Sequence, residues 1–258
     1  MPLEAEERMP DGPRTAFRSD RRAEKAGGTS QSEEQAMRDE FWDRPEVVDQ
    51  FAARDPDHRL VALIEDYERP AAVRVLDLGC AGGRNAVLLA ERGFDIRAMD
   101  ASPPMVRRTR ERLRPILGES AARDRVQVGR MDDLSRFGDG SFDMVLALGI
   151  YHNARSRAEW ERAIAESARV LRPGGRVLVN HFTPEVDLTG EGVRAVADEP
   201  GVFEGFPGGR SVLLEAEQLD TAMALHGLRP EVPSVTVRVE LEKGRRVSTN
   251  ALYRKLEG

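Results

Sequence analysis

The residues that invite chemistry begin with the run VLDLGCAGGRN at positions 75–85. An apolar stretch passes Asp77, bends through Gly79, Gly82 and Gly83, and then turns into helix-forming residues. Glycines at such a bend let a ligand lie against bare backbone and admit positive φ. In an open α/β sheet the end of that strand opens on the crevice where ligands bind. A dinucleotide site would want G-x-G-x-x-G, but Ala81 holds the second position and Arg84 follows Gly83. The Asp77 carboxylate beside the bend repels a pyrophosphate and suits a cation. Asp100 ends a second apolar run, FDIRAMD, 21 residues past Gly79. A carboxylate there accepts hydrogen bonds from both ribose hydroxyls; a capping or turn Asp is the plainer reading, although Ser102 already fills that need. Together the two carboxylates suit a positively charged nucleoside. Further along, Tyr151, His152 and His181 follow apolar runs, and an imidazole or phenol there suits an acceptor that must lose a proton. For His152 a ring that only packs or orients a loop is the equal alternative, and for His181 a structural or substrate-shaping role is favoured.

For these groups to meet, the chain must bring several strand ends to one edge. It alternates strand and helix signals: AVRVLDLG, a helix over 85–92 closed by Gly93, FDIRAMD, a helix from the Ser102-Pro103 pair toward Leu117, and RVQVGR. After the turn at Gly138-Asp139-Gly140 come the buried strand FDMVLALG, a helix over 157–171 stopped at Pro173-Gly174-Gly175, and the strand GRVLVNHF. This rhythm predicts a mostly parallel sheet with helices on both faces. A helix over 215–226 follows, and SVTVRVEL and RVSTNALYRKL, flanking Lys243-Gly244, predict a C-terminal antiparallel hairpin on the sheet edge. Residues 1–34 mix acids, Arg, Pro, Gly and Ser without apolar periodicity and read as a disordered tail. Residues 35–258 read as one domain. Within it, Phe41, Trp42, Val47, Val48 and Phe51 recur at helical offsets and give a helical cap over 35–70. Trp42 either walls a pocket or packs as core. Residues 184–212, with Phe203 and Phe206 among glycines, form a candidate lid insertion or a plain surface loop.

Composition narrows the classes. At 258 residues, 40% hydrophobic and 33% charged, the chain suits one sizeable α/β domain. A net charge of -6 gives no global pull toward phosphate backbones or anionic membranes. Aromatics are only 5% and no basic run stands out, so neither a nucleic acid nor a membrane is an expected partner. Cys80 is the only cysteine, which excludes an internal disulfide, and the four histidines lack ligand spacing, so no metal is expected. The N-terminus has no apolar signal core and no stretch is long enough for a bilayer, so the expected compartment is the cytoplasm.

Four segments in order, VLDLGCAGGRN, AMDASPPM, DGSFDMVLALGIYHN and LRPGGRVLV, resemble the class I S-adenosylmethionine (SAM)-dependent methyltransferases. The resemblance is to their small-molecule, UbiE-like branch, with a type 11 or 25 methyltransferase domain. It implies a Rossmann-like, seven-stranded sheet, SAM as methyl donor with S-adenosylhomocysteine (SAH) as product, and a small-molecule acceptor. By position, Gly79, Cys80 and Gly83 should line the methionine and ribose portion beside Asp77. Asp100 should hold the ribose, and Ala101 and Met105 should lie near adenine. The position that usually offers adenine a carboxylate is Arg130 here, so that role passes to Asp132, with Met131 packing on the ring. Leu148 should face the methionine end. His152 and Tyr151 are the catalytic candidates, and Trp42, His181, Phe203 and Phe206 the substrate candidates. A non-catalytic SAM-binding partner module and an RNA methyltransferase are the alternatives. The sequence carries no sign of oligomeric state.

Overall fold

The structure, a computed structural model, describes residues 41–206 and 208–257. The expected tail over 1–34 and the first residues of the cap lie outside the described residues. The sheet is built from β1 (Arg74–Leu78), β2 (Asp95–Asp100), β3 (Val126–Val128), β4 (Phe142–Leu148) and β5 (Leu171–Phe182), which run parallel in the order β5-β4-β1-β2-β3. Their apolar runs are buried on both faces, as an inner parallel sheet requires. Leu76, Leu78, Val145, Ala147, Val177 and Val179 face one core, whereas Val75, Met144, Leu146 and Leu178 face the other.

Helices cover both faces. α1 (Pro45–Ala52) and α2 (His58–Ile64) form the N-terminal cap, followed by α3 (Arg84–Glu91), α4 (Pro103–Leu117), α5 (Glu119–Arg125) and α6 (Arg157–Val170). Ser102 caps α4 by accepting the Met105 N–H at 3.3 Å, and Ser156 caps α6 through the Glu159 N–H at 3.2 Å. Sequence periodicity does not anticipate α5, which buries only Ala122. The expected third strand shrinks to three residues.

The excursion over 184–212 is folded. It contains a separate antiparallel sheet of β6 (Arg194–Ala195), β7 (Val202–Phe206) and β8 (Gly209–Val212). Then come α7 (Ala216–Ala224), with Glu215 and Gln218 forming a capping box, β9 (Leu228–Pro230), β10 (Val235–Glu240) and β11 (Arg245–Lys255). β11 lies antiparallel beside β5, and its other edge is shared by β10 and β9. The expected seventh position is therefore filled by two short strands, separated by a segment that contains Pro233 and so lacks one ladder donor. Strand order reverses between β1 and β4, which places the crevice at the C-terminal ends of those two strands.

Candidate functional site

The bend after β1 is held from several sides. Gly79 and Cys80 both donate their N–H groups to Met99 O, at 2.8 and 2.9 Å. Asp100 accepts the Ala81 N–H through Oδ2 at 2.8 Å and the Ser102 N–H through Oδ1 at 2.9 Å. Thr109 donates its hydroxyl to Ala81 O at 2.7 Å, and Arg112 donates to Gly82 O at 2.8 Å and to Ala52 O at 3.0 Å. Three glycines are sterically required. A Cβ on Gly83 would stand 2.9 Å from the Thr109 side chain, one on Gly79 would stand 2.7 Å from Ile150 Cδ1, and one on Gly82 would stand 2.5 Å from the Ala52 Cα. The cap thus packs directly on the bend. Ala81 takes a left-handed φ of 47°, a strained choice for a residue with a Cβ. Cys80 is buried, and burial pushes its thiol well up, so it packs in the bend as an apolar group.

Asp77 is 2% exposed. Burial pushes its carboxyl up to about 7; Arg84 pulls it down, Asp100 raises it further, and the Ala86 N–H lowers it. Its Oδ2 is buried without a hydrogen-bond partner among the described residues.

The residues expected around adenine separate into two environments. Ala101 is exposed, whereas Met105 is buried beneath the cap with Val47 and Val48, against Phe41, Trp42 and Phe51. Met131 is buried in the other core, with Leu76, Leu78 and Met99. Arg130 pairs with Asp132 at 2.9 Å and with Glu159 on α6 at 2.8 Å. Arg162 takes the second Asp132 oxygen at 3.0 Å. Burial raises the Asp132 carboxyl, but Arg162 and Arg130 outweigh it and hold the group below its usual range.

The structure separates the three residues expected near the acceptor. Tyr151 is fully buried in the short 3-10 turn Tyr151–Asn153 and donates its hydroxyl to Ser167 Oγ at 2.8 Å, which directs it into the core rather than to the strand edge. His181 is also fully buried. Its Nε2 accepts the Trp160 indole N–H at 3.0 Å, which leaves the ring proton on Nδ1, 2.9 Å from Phe182 O. Burial pushes its pKa down to about 4, opposed by the Phe182 contact and aided by Arg157, so the ring is neutral and committed to structure. His152, 5% exposed, stacks on Phe182 with centroids 4.1 Å apart, and its Nδ1 lies 3.4 Å from the Phe182 N–H. Phe206 continues the stack at 6.1 Å. Phe203 lies three residues earlier on β7, in register with Ala195 and Ser211 and across an irregularity in the ladder from Phe206. Trp42 meets the edges of Phe41 and Phe51, and its Nε1 lies 3.5 Å from where Gly208 would carry a Cβ. The N-terminal segment and the excursion over 184–212 therefore come close together at Trp42 and Gly208.

Sequence reasoning passed over Arg59, Asn180, Phe182 and Asn250. Arg59 is a buried cation whose side chain ion-pairs with Asp57 at 2.6 Å and reaches Val179 O and Asn250. Leu148, partly exposed, lies in register with Asn180. The available signal was the polar Asn180 at the end of an apolar strand.

Residues 75–175 match a family model described as a methyltransferase domain. An uncharacterized methyltransferase of Mycobacterium tuberculosis is 39% identical over 113 residues, 43% of this chain and 41% of the relative. A demethylmenaquinone methyltransferase of Thermus thermophilus is 36% identical over 118 residues, 44% of this chain and 49% of the relative. The chain thus spans about half the length of the curated relatives it matches, or less. Among solved structures, a SAM-dependent methyltransferase from Methanosarcina mazei superposes with a TM-score of 0.58 at 19% identity, covering 76% of this chain and 98% of that one. The 1,6-didemethyltoxoflavin-N1-methyltransferase of Burkholderia thailandensis, solved with 1,6-didemethyltoxoflavin and S-adenosylhomocysteine, gives 0.55 at 20% identity, covering 90% and 93%. These likenesses show a shared Rossmann-like fold.

Proposed function

We propose, from the premise that this chain carries a methyltransferase domain of the SAM-dependent class, that it transfers a methyl group from SAM to a small-molecule acceptor. The observation that supports this reading most is the pair of carboxylates on adjoining strand ends. Asp100 fastens the bend, and Asp77 keeps a buried oxygen without a hydrogen-bond partner among the described residues. An unsatisfied buried acceptor costs on the order of 1–3 kcal/mol. An ammonium satisfies it and a phosphate does not, so the residues present fit SAM better than a dinucleotide.

In this reading Gly79, Cys80 and Gly83 offer bare backbone beside Asp77, and Asp100 takes the ribose hydroxyls on lone pairs left over from the Ala81 and Ser102 N–H groups. Ala101, Met105 and Met131 serve the adenine side. Asp132 takes part there only by sharing oxygens that already hold Arg130 and Arg162. Leu148 faces the methionine end. Bound there, SAM supplies a methyl group on a positively charged sulfur, already activated for in-line displacement. The chain's own contribution is alignment and exclusion of water by the cap, Ile150 and the lid. His152 belongs to the acceptor wall, and proton removal by its Nδ1 would replace the long contact with the Phe182 N–H. Trp42 and Phe206 close the acceptor side, with Phe203 behind them.

Calorimetry comparing SAH with NAD tests the cofactor assignment directly, since tight NAD binding without SAH binding removes it. Turnover of labelled SAM over an acceptor panel tests catalysis; SAH binding with no turnover would leave a non-catalytic module. His152→Ala is expected to lower turnover about tenfold while SAH affinity stays within about twofold. An affinity loss larger than the turnover loss assigns the ring to cofactor binding instead.

Asp77 adds a pH signature. Its raised pKa means the fold takes up a proton between the unfolded value of 3.8 and about 7, so its contribution to stability is greatest in acid and lost as pH rises through 7. A cation bound beside it favours the carboxylate, so SAH binding at neutral pH releases that proton. The binding heat should therefore vary with buffer ionisation enthalpy more in the wild type than in Asp77→Asn, whose affinity should fall about tenfold. An identical buffer dependence in both proteins removes Asp77 from the cation site.

A further inference from the structure

The sheet face that carries Asp77 also carries polar side chains that the transfer reading leaves unused. Residues in register on neighbouring strands project to the same side, so Leu148, Asn180 and Asn250 form a row across β4, β5 and β11. Phe182, two residues beyond Asn180, shares its side of β5. Arg59 reaches this row from α2. Its Nη1 donates to Val179 O at 3.1 Å and to Asn250 Oδ1, while Nε and Nη2 hold Asp57. A guanidinium has donors only, so the Asn250 atom it meets is the carbonyl oxygen. That oxygen also accepts from Asn180 Nδ2 at 2.8 Å, and the same Nδ2 donates to Ser248 Oγ at 2.9 Å. Both amide hydrogens of Asn180 are committed toward β11, and Oδ1 is its remaining polar atom. Arg59, Ser248 and Asn250 are buried, whereas Asn180 is partly exposed. Beside it Phe182 lies in a three-ring stack with His152 and Phe206, with interplanar angles of 24° and 17°.

We propose that Asn180 binds the methyl acceptor and sets its class: a planar aromatic molecule that lies against the Phe182–Phe206 stack and donates an O–H or N–H to Asn180 Oδ1. This rests on the methyltransferase reading of the same site. An amide free to flip would serve donors and acceptors alike. Arg59, acting through Asn250, removes that freedom, so the site favours ligands with a donor and leaves Oδ1 unsatisfied against those without one. Arg59 and Asn250 are positioning residues; Asn180 is the one that touches the acceptor.

The test uses the full chain saturated with SAH and three probes of one skeleton: 2-naphthol, naphthalene and decahydro-2-naphthol. Affinities are read by ligand-observed NMR titration. 2-Naphthol is expected to bind about tenfold more tightly than either of the others, the scale of one hydrogen bond or one stacked ring. In Asn180→Ala, with SAH affinity and thermal unfolding as folding controls, the advantage over naphthalene should vanish while that over decahydro-2-naphthol persists. Asn250→Asp keeps an oxygen facing Arg59 and Asn180 and should retain both advantages. Equal affinity for all three probes, or an undiminished hydroxyl advantage in Asn180→Ala, overturns the proposal. A wild-type protein that fails to bind SAH overturns the underlying reading instead.

Discussion

Asp100→Ala is expected to weaken SAH binding about a hundredfold in calorimetry, with the thermal midpoint only slightly lowered. A hydrogen bond to a charged group contributes roughly 1.5–3 kcal/mol, and two ribose hydroxyls meeting one carboxylate account for about 3 kcal/mol, or two powers of ten in affinity. The same carboxylate holds the Ala81 N–H at 2.8 Å, so its removal also frees the strained bend. Asp100→Asn separates the two effects. It keeps one oxygen for the bend but places an NH2 where the second acceptor was, and an intermediate loss is expected. A loss below about fivefold in the alanine variant would falsify the ribose assignment.

Arg59→Leu is expected to destabilise the fold by about 3 kcal/mol, because it leaves the Asp57 carboxylate buried without its cation. For a chain of this length that is a fall of roughly 6–12 °C in thermal midpoint. Arg59 and Asp57 side chains are 6% and 9% exposed, and the guanidinium also holds Val179 O and Asn250 Oδ1. Burial raises the Asp57 carboxyl, and Arg59, with smaller help from Arg84 and His58, more than reverses this, so its net pKa lies below 3.8. The pair's contribution is thus complete above 3.8 and lost as pH falls below it. In the variant burial is opposed only by the smaller effects of Arg84 and His58, Asp57 titrates at higher pH, and the stability gap should narrow between neutrality and pH 4. Denaturant melts at both pH values check the size and the narrowing. A gap under 1 kcal/mol at neutral pH would show that the pair is dispensable.

What the sequence made legible is what depends on continuous local pattern. β1 and β4 are unbroken apolar runs, α4 announces itself with Ser102-Pro103, and the bend after Asp77 is spelled in glycines. Features settled by register or by distant partners were hidden. α5 has no apolar stripe, and β6 to β8 are two- to five-residue pieces held by one another rather than by propensity. Tyr151 and His152 are adjacent in sequence, but the short turn sends the first into the core and keeps the second against Phe182. In the sequence Asp132 stands in for the adenine carboxylate because Arg130 breaks the expected pattern. That Arg130 and Arg162 would both close on Asp132 follows from where α6 packs, not from spacing. Asn180 gains its meaning only once β11 lies beside β5 and Arg59 reaches across.

The two margins of the large sheet have a consequence for behaviour at high concentration. An open margin is a template on which another molecule can add a strand, the first step toward fibrils. Here one margin is only three residues long. The other is interrupted at Pro233, and its longer piece alternates partly covered valines with exposed Thr236, Arg238 and Glu240. Neither side offers a long, flat, uncharged ribbon, so the sheet itself supplies little seed for self-templated growth in a crowded cell.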